Sequence, residues 1–286
     1  MLFFTVYSMF YSFVETLVEP IMFTYSSMFV LIADGFIDFS EDVGIHMLCI
    51  YCSMYALCIS LLSVQFMYRY LIICRTDLSK YLRGFRFLYL YTPSILHFTA
   101  WYSFVYFAFA IIDTDLKIQI LRDKILKTYA IEIKDKSFLG PVYWTINQGG
   151  DKEYRLLEII GAIGCFLIII NCLYTILFCA IHIDQQLRKH SQLFSNQRTK
   201  FNVQLFIILK LQTFVPCIFM YFPVALLVIL PIFDIPLGNY SNMTGVFAAI
   251  YPAIEPVIAI ALVKDFLDVF TRPINKFISR KTSSFI

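Results

Sequence analysis

Six long apolar stretches, near residues 2–23, 44–68, 87–112, 159–183, 205–232 and 245–263, dominate this chain of 286 residues. A helix needs about 20 apolar residues to cross the hydrocarbon core of a bilayer. Lipid offers the backbone no hydrogen-bond partners, so stretches of this length are expected as helices, not as the short alternating strands of a barrel. The connections between them alternate in charge. Residues 69–86 carry Arg69, Arg75, Lys80, Arg83 and Arg86 against Asp77, and residues 184–200 carry Arg188, Lys189, Arg198 and Lys200 against Asp184. The tail adds Lys264, Arg272, Lys276, Arg280 and Lys281. The opposite connections hold Asp34, Asp38, Glu41 and Asp42 without a base, and then only Asp234. Short loops rich in Lys and Arg stay in the cytoplasm, so the basic side is expected to be cytosolic. The first stretch would then leave the cytosol, and both termini would lie inside.

Composition excludes the soluble classes. Apolar residues make up 59% and charged residues 15%, at a mean hydropathy of +0.73, whereas soluble domains are about a quarter charged. Of the 23 Lys and Arg residues, 14 lie in the three cytosolic segments, where they can meet anionic lipid heads of the bilayer. Nucleic acid is therefore not an expected partner. The N-terminus has no basic n-region and no small-residue cleavage site, and reads as a retained span. Cys49, Cys52, Cys58, Cys74, Cys165, Cys172, Cys179 and Cys217 fall in spans or at the cytosolic boundary. They read as buried thiols used as small apolar side chains.

The longest connection, 113–158, has eight acids and eight bases. Ile118, Leu121 and Ile125 are spaced for a short amphipathic helix, and Gly140-Pro141 and Gly149-Gly150 punctuate a turn-rich piece around Trp144. The segment is either a lid over a cavity or a solvated connector. Val263–Phe277 reads as an interfacial helix broken by Pro273, within a cytosolic tail spanning 264–286.

Ionisable residues inside spans are costly and mark functional candidates. Glu15 and Glu19 share a helical face near the outer end of the first span; they either meet a ligand or mark its exit into water. Glu255 stands in Tyr251-Pro252-Ala253-Ile254-Glu255-Pro256, where two prolines free backbone carbonyls and bend the helix. Pro216 and Pro223 put a second bend in the fifth stretch. Lys210 there is expected to snorkel to the cytosolic boundary. Tyr68, Arg69 and Tyr70 close the second stretch at its cytosolic end. Asn239-Tyr240-Ser241 and Asn242-Met243-Thr244 are glycosylation sequons in an outer loop. His46, His97, His182 and His190 make no ligand pattern, and no phosphate loop appears, so no metal, cofactor or enzyme activity is expected.

Taken in order, Tyr11-Ser12-Phe13-Val14-Glu15 through Pro20, Phe66-Met67-Tyr68-Arg69-Tyr70, Leu211-Gln212 through Pro216, Tyr221-Phe222-Pro223 and Tyr251 through Pro256 resemble the nematode serpentine chemoreceptors of the Str superfamily. The resemblance covers nearly the whole chain. It implies an all-α membrane protein, a rhodopsin-like serpentine bundle, whose six spans would correspond to spans two to seven of a seven-helix receptor. Glu255 departs from the family's usual Asp. The opening segment resembles the family's second span, so an upstream stretch of roughly 30–50 residues with one more span is expected. The resemblance further implies a plasma-membrane receptor, in a sensory-neuron cilium, that binds a small external chemical and activates a heterotrimeric G protein. Tyr68, Arg69 and Tyr70 would take the position of switch and G-protein contact. Glu15, Phe98, Trp101 and Tyr102 would lie near the ligand. Pro216, Pro223, Tyr251, Pro252, Glu255 and Pro256 would form the bends and polar network of the movers. Two competing readings remain: a transporter or channel with an ion site at Glu255, and a truncated, non-signalling receptor remnant.

Overall fold

The computed structural model describes residues 2–37, 40–79, 84–147, 149–193, 197–250 and 254. Its centre is α2 (Glu41–Cys74), which packs against α1 (Leu2–Val18), α4 (Thr92–Phe104) and α6 (Leu156–Leu193). Leu48, Tyr51, Tyr55, Cys58, Leu62 and Phe66 of α2 are all buried, as suits a helix that is apolar on every side. The outer helix α6 is two-faced. Ile163, Leu167, Ile170, Tyr174 and Ile181 are exposed, while Cys165, Ile168, Cys172, Ile176 and Cys179 face inward. The thiols are free and form a stripe of small side chains against the bundle. At the outer end of α6, a Cβ added to Gly161 would lie 2.5 Å from the Cβ of Ala108. Glycine is what lets the two backbones come together there.

Two helices bulge. α4 runs into a π-helical turn at Val105–Ala110, closed by the Ile111 N–H on the Tyr106 carbonyl at 3.3 Å. α7 (Gln197–Pro216) passes through a second at Cys217–Tyr221 before α8 (Phe222–Ile229). The second lies between Pro216 and Pro223, whose missing N–H and bulky ring disfavour a regular ladder. The short α3 (Thr76–Ser79) and a 3-10 turn at Gly84–Tyr91 lead into α4, and residues 242–250 are helical.

The end of the bundle at which α1 finishes, expected outside from the loop charges, corrects the all-α expectation. α1 ends at Val18, and the chain does not continue as helix to residue 23. Glu19 takes a left-handed φ of 40°, and Pro20 opens β1 (Pro20–Tyr25), antiparallel to β2 (Met28–Ala33). Proline suits the first position of an edge strand because it has no N–H to donate. β2 pairs in turn with β3 (Phe138–Leu139), and β4 (Trp144–Ile146) pairs with β5 (Lys152–Tyr154). The protein is still mostly helical. Among the described residues, Glu41–Cys74, Leu156–Lys189 and Phe206–Phe233 are long and apolar enough to cross a membrane. A fourth is added if Gly84–Ala110 and α5 (Thr114–Tyr129), bent by 74°, are counted as one span. Tyr251, Pro252, Glu255, Pro256 and the 264–286 tail lie outside the described residues.

The hairpin is covered on both faces. Successive strand residues point to opposite sides, so the paired Phe23 and Val30 join Met28, Ile32 and Phe138 in a satellite core with Leu121 and Ile125 of α5. The paired Met22 and Leu31 face the bundle. α5 is therefore the amphipathic helix expected from Ile118, Leu121 and Ile125, lying outside the bundle as part of a cap. The hairpin is tied down at its far edge. Thr24 Oγ1 accepts the Leu237 and Gly238 N–H groups at 2.6 and 3.1 Å and bonds Ser241 Oγ at 3.1 Å.

Candidate ligand cavity

Under the cap lies an apolar cavity of about 80 Å³. Its roof is Met22, Phe29 and Leu31 of the hairpin with Leu139 and Pro141 of the 113–158 segment. Tyr51, Cys52 and Tyr55 of α2 form one wall, and Ala162, Cys165, Phe166 and Ile169 of α6 another. Trp101 of α4 and Val105 and Phe109 of its π turn make a third, and Val224, Ala225, Leu227 and Val228 of α8 a fourth. Among the described residues, no charged side chain lines it. Both π turns thus abut the cavity, one within its wall and one just before it.

The base of the cavity is a ladder of tyrosines. Tyr11 donates to the Tyr51 hydroxyl at 3.4 Å, and Tyr51 and Tyr55 share a bond at 3.1 Å. Tyr7 reaches the Met54 carbonyl at 3.1 Å, and Tyr221, at the end of the second π turn, reaches the Tyr55 carbonyl at 3.3 Å. These bonds join α1, α2 and the α7–α8 bend, each satisfying a hydroxyl that burial would otherwise strand. Trp101 differs: its indole N–H is buried and, among the described residues, has no hydrogen-bond partner.

At the rim the roof is held by two buried acceptors. The Phe109 carbonyl takes the Gly140 N–H at 3.2 Å and the Lys117 ammonium at 2.8 Å. Glu158 takes the Val142 N–H and Arg155 Nε, and Arg155 also pairs with Asp113. Lys117, fully buried on α5, has its pKa pushed down to about 8 by burial, which the attraction of Glu158 opposes. Burial likewise pushes the Tyr143 hydroxyl up.

Of the residues singled out from sequence as ligand contacts, only Trp101 is in the cavity wall. Glu15 is half-buried against the Tyr11 hydroxyl. Phe98 is half-buried against the main core. Tyr102 bonds His46 Nδ1 at 2.6 Å near the outer end of α2. The structure therefore does not bring these four together. At the inner end of α2, Tyr68 is exposed and Arg69 half-buried; among the described residues Arg69 has no hydrogen bond or ion pair. Tyr70 packs edge-on against Phe178 and His182 of α6, at 5.8 and 5.9 Å. Lys210 reaches the inner end of α6, where Asp184 takes it at 3.2 Å beside Arg188 at 2.7 Å. Asn239 is exposed, but the Asn242 amide is used twice, accepting from the Met22 N–H at 2.7 Å and donating to the Tyr129 hydroxyl at 2.8 Å. Tyr51, Tyr55, Lys117 and Glu158 were not singled out from sequence, and Cys165 was read only as a buried thiol. The four-residue spacing of Tyr7 with Tyr11 and of Tyr51 with Tyr55 was the available signal for the ladder.

The model of the family described as the serpentine type 7TM GPCR chemoreceptor Str matches residues 1–271. The chain belongs to this family. It is a multi-pass membrane protein of the G-protein-coupled receptor type, a family of receptors and not of enzymes. It is similar to "Serpentine receptor class r-10" of Caenorhabditis briggsae, 29% identical over 274 residues, covering 93% of this chain and 77% of that one. The Caenorhabditis elegans protein of the same description is 27% identical over 288 residues, covering 99% and 82%. "G-protein coupled receptor str-33" of Caenorhabditis elegans is 23% identical over 268 residues, covering 92% and 76%. No solved structure matches the chain.

Proposed function

We propose that this receptor is chemosensory: it binds a small, mainly apolar external molecule in the cavity under the outer cap and activates a heterotrimeric G protein at its cytosolic face. The observation that carries the reading is the cavity itself, free of charged side chains among the described residues, roofed by the hairpin and walled by several helices. Apolar clefts between helices are where small ligands are bound. A ligand shifts a receptor only through its different affinity for two arrangements of the bundle. The bend between Pro216 and Pro223 is the element that differs between them, because α8 is a cavity wall and Tyr221 ties the bend to α2. Trp101 meets the ligand directly. Glu15, Phe98 and Tyr102 act from around the cavity, the first through Tyr11. Tyr68, Arg69 and Tyr70 form the switch and G-protein contact; Arg69, at the end of α2 and without an ion pair among the described residues, is available for it. In the membrane the chain takes six spans with its basic loops inside, and the sensory cilium is its site of action.

The test is ligand-screened nucleotide exchange on a co-expressed heterotrimeric G protein, with ion flux measured in the same membranes. Exchange that depends on an added small molecule supports the receptor. Flux without exchange overturns it.

A further inference from the structure

We propose that ligands reach the cavity from the bilayer, through a seam between α6 and α8, so that the receptor takes uncharged molecules dissolved in lipid. The inference rests on the reading of the cavity as the receptor's ligand site and adds the phase from which the ligand is drawn. The lining divides by exposure. Leu31, Leu139 and Pro141 of the roof are buried, as are Tyr51, Tyr55 and Trp101. Phe166 and Ile169 of α6 and Val224, Ala225 and Val228 of α8 are half-buried. Outside these two helices, only Phe29 and Cys52 of the lining are half-buried.

The other ways in are closed. Between α4 and α6, a Cβ on Gly164 would lie 2.6 Å from the Phe104 ring, so glycine is what lets that ring seal the contact. Tyr221 ties the start of α8 to α2. The cap is fastened through the Phe109 carbonyl and through Thr24. By contrast, α6 is tied to the α7–α8 rod at its two ends. Asp184 takes Lys210 at 3.2 Å at one end. At the other, Trp144 Nε1 donates to the Ile232 carbonyl at 3.2 Å, just past α8. Between these ties no hydrogen bond or ion pair among the described residues joins α6 to α8. Among the described elements, α8 packs extensively only on the turns before and after it.

The position of the seam sets the ligand class. Both lips belong to stretches long and apolar enough to cross a membrane. Phe166 and Ile169 lie about 15–20 Å along the span from Leu156, and Val224 and Val228 about 8–14 Å from Phe233. A hydrocarbon core about 30 Å thick takes in both lips. The exposed Ile163, Leu167, Ile170, Phe222 and Ile229 surround the mouth with lipid-facing side chains. A charged solute pays heavily to enter hydrocarbon and meets no opposite charge in the described lining. A lipophilic one is concentrated there, about fourfold for each added methylene.

The experiment uses the full chain in lipid nanodiscs, with chloroform as the probe: small, uncharged, lipid-soluble and a contact quencher of indole fluorescence. Quenching that Trp101→Phe removes is the cavity signal, and its relaxation after a small temperature jump reads entry and exit. Ala225→Phe, which fills the seam, should slow both rates together about tenfold, more than it changes affinity. Phe166→Ala, which widens the seam, should speed both about threefold. Thr24→Val, which frees the cap from Leu237 and Gly238, should leave them within about twofold. Rates that ignore the seam variants overturn the proposal, as does faster entry in Thr24→Val or a native chain that chloroform does not quench. If one seam variant does not fold, the other decides, and both comparisons use the native tryptophans. Seam-dependent entry that no lipid-soluble molecule converts into nucleotide exchange supports the route and counts against the receptor reading alone. Agonists whose entry ignores the seam count against the route alone.

Discussion

Replacing Lys117 with Met should tighten the outer cap, although it deletes a hydrogen bond. An ammonium has three donors, and Lys117, fully buried, spends one on the Phe109 carbonyl. Among the described residues it forms no ion pair. Its pKa falls from an ordinary 10.5 to about 8 through burial, and at about 1.4 kcal/mol per unit the charged form costs the docked cap on the order of 3 kcal/mol. Neither acceptor is orphaned by the change. Phe109 keeps the Gly140 N–H, and Glu158 keeps Val142 and Arg155. Glu158 does lose an attraction, so the net gain should be about 1–3 kcal/mol, as for other buried charges replaced by apolar side chains. The pH dependence has a definite sign. Below about pH 8 Lys117 is charged whether the cap is docked or released, and docking bears the whole cost. Above it the released cap binds the extra proton, so docking strengthens as pH rises toward 10.5. The other ionisable groups facing this point are Glu158, Arg155, Asp113 and Tyr143, and the last is shifted upward, away from the window. Hydrogen exchange of peptides covering 114–129 and 138–142, corrected for intrinsic rates, reads local opening. Protection should rise between pH 7 and 9 in the native chain. In Lys117→Met it should be about tenfold higher at pH 7 and flat. Lower protection in the variant, or protection that falls with pH in the native chain, would refute the argument.

Gly161→Ala places a methyl 2.5 Å from the Cβ of Ala108 and should lower stability by about 1–3 kcal/mol; thermal unfolding should show the loss, and Ala108→Gly should restore most of it if that contact is the cause. Asn239→Gln should abolish the glycan-dependent mobility shift on the outer loop, and Asn242→Gln should leave it, because the Asn242 amide is spent on Met22 and Tyr129. A shift that disappears only in Asn242→Gln would mean that those two bonds are not formed. Arg69→Ala should reduce ligand-dependent nucleotide exchange on the order of tenfold while surface amount, read by an outside tag, stays within about twofold; parallel losses would make Arg69 a packing residue acting through its stem.

The helices were legible because lipid leaves long apolar stretches one backbone solution. The hairpin was not, for a physical reason. Ile21, Met22 and Phe23 resume the apolar run just after Glu19 and Pro20, and both faces of β1 and β2 are covered, one by the bundle and one by α5. A strand buried on both sides shows no alternation and cannot be told from a helix by periodicity. α5 covers one side only, and its pattern was readable. Pro216 and Pro223 announced a bend, though not its π form, whereas Val105–Ala110 contains nothing that forbids a regular helix. Trp101 was named only through the family resemblance, which gave no reason to prefer it to Phe98 or Tyr102. Lys117 could not be named, because one base among eight in a balanced loop carries no mark of burial.

The two π turns give the cavity a phase as well as a shape. Each holds one residue more than an α-helical turn would, and one residue of an α-helix is about 100° of rotation and 1.5 Å of rise. If the extra residue of Val105–Ala110 were passed back along α4, the segment it crossed would turn by about that angle. Trp101 would then leave the wall while α4 as a whole kept its place. The same transfer from Cys217–Tyr221 into α8 would rotate Val224 and Leu227 out of the lining. Such a transfer would couple occupancy of this cavity to how two helices are wound.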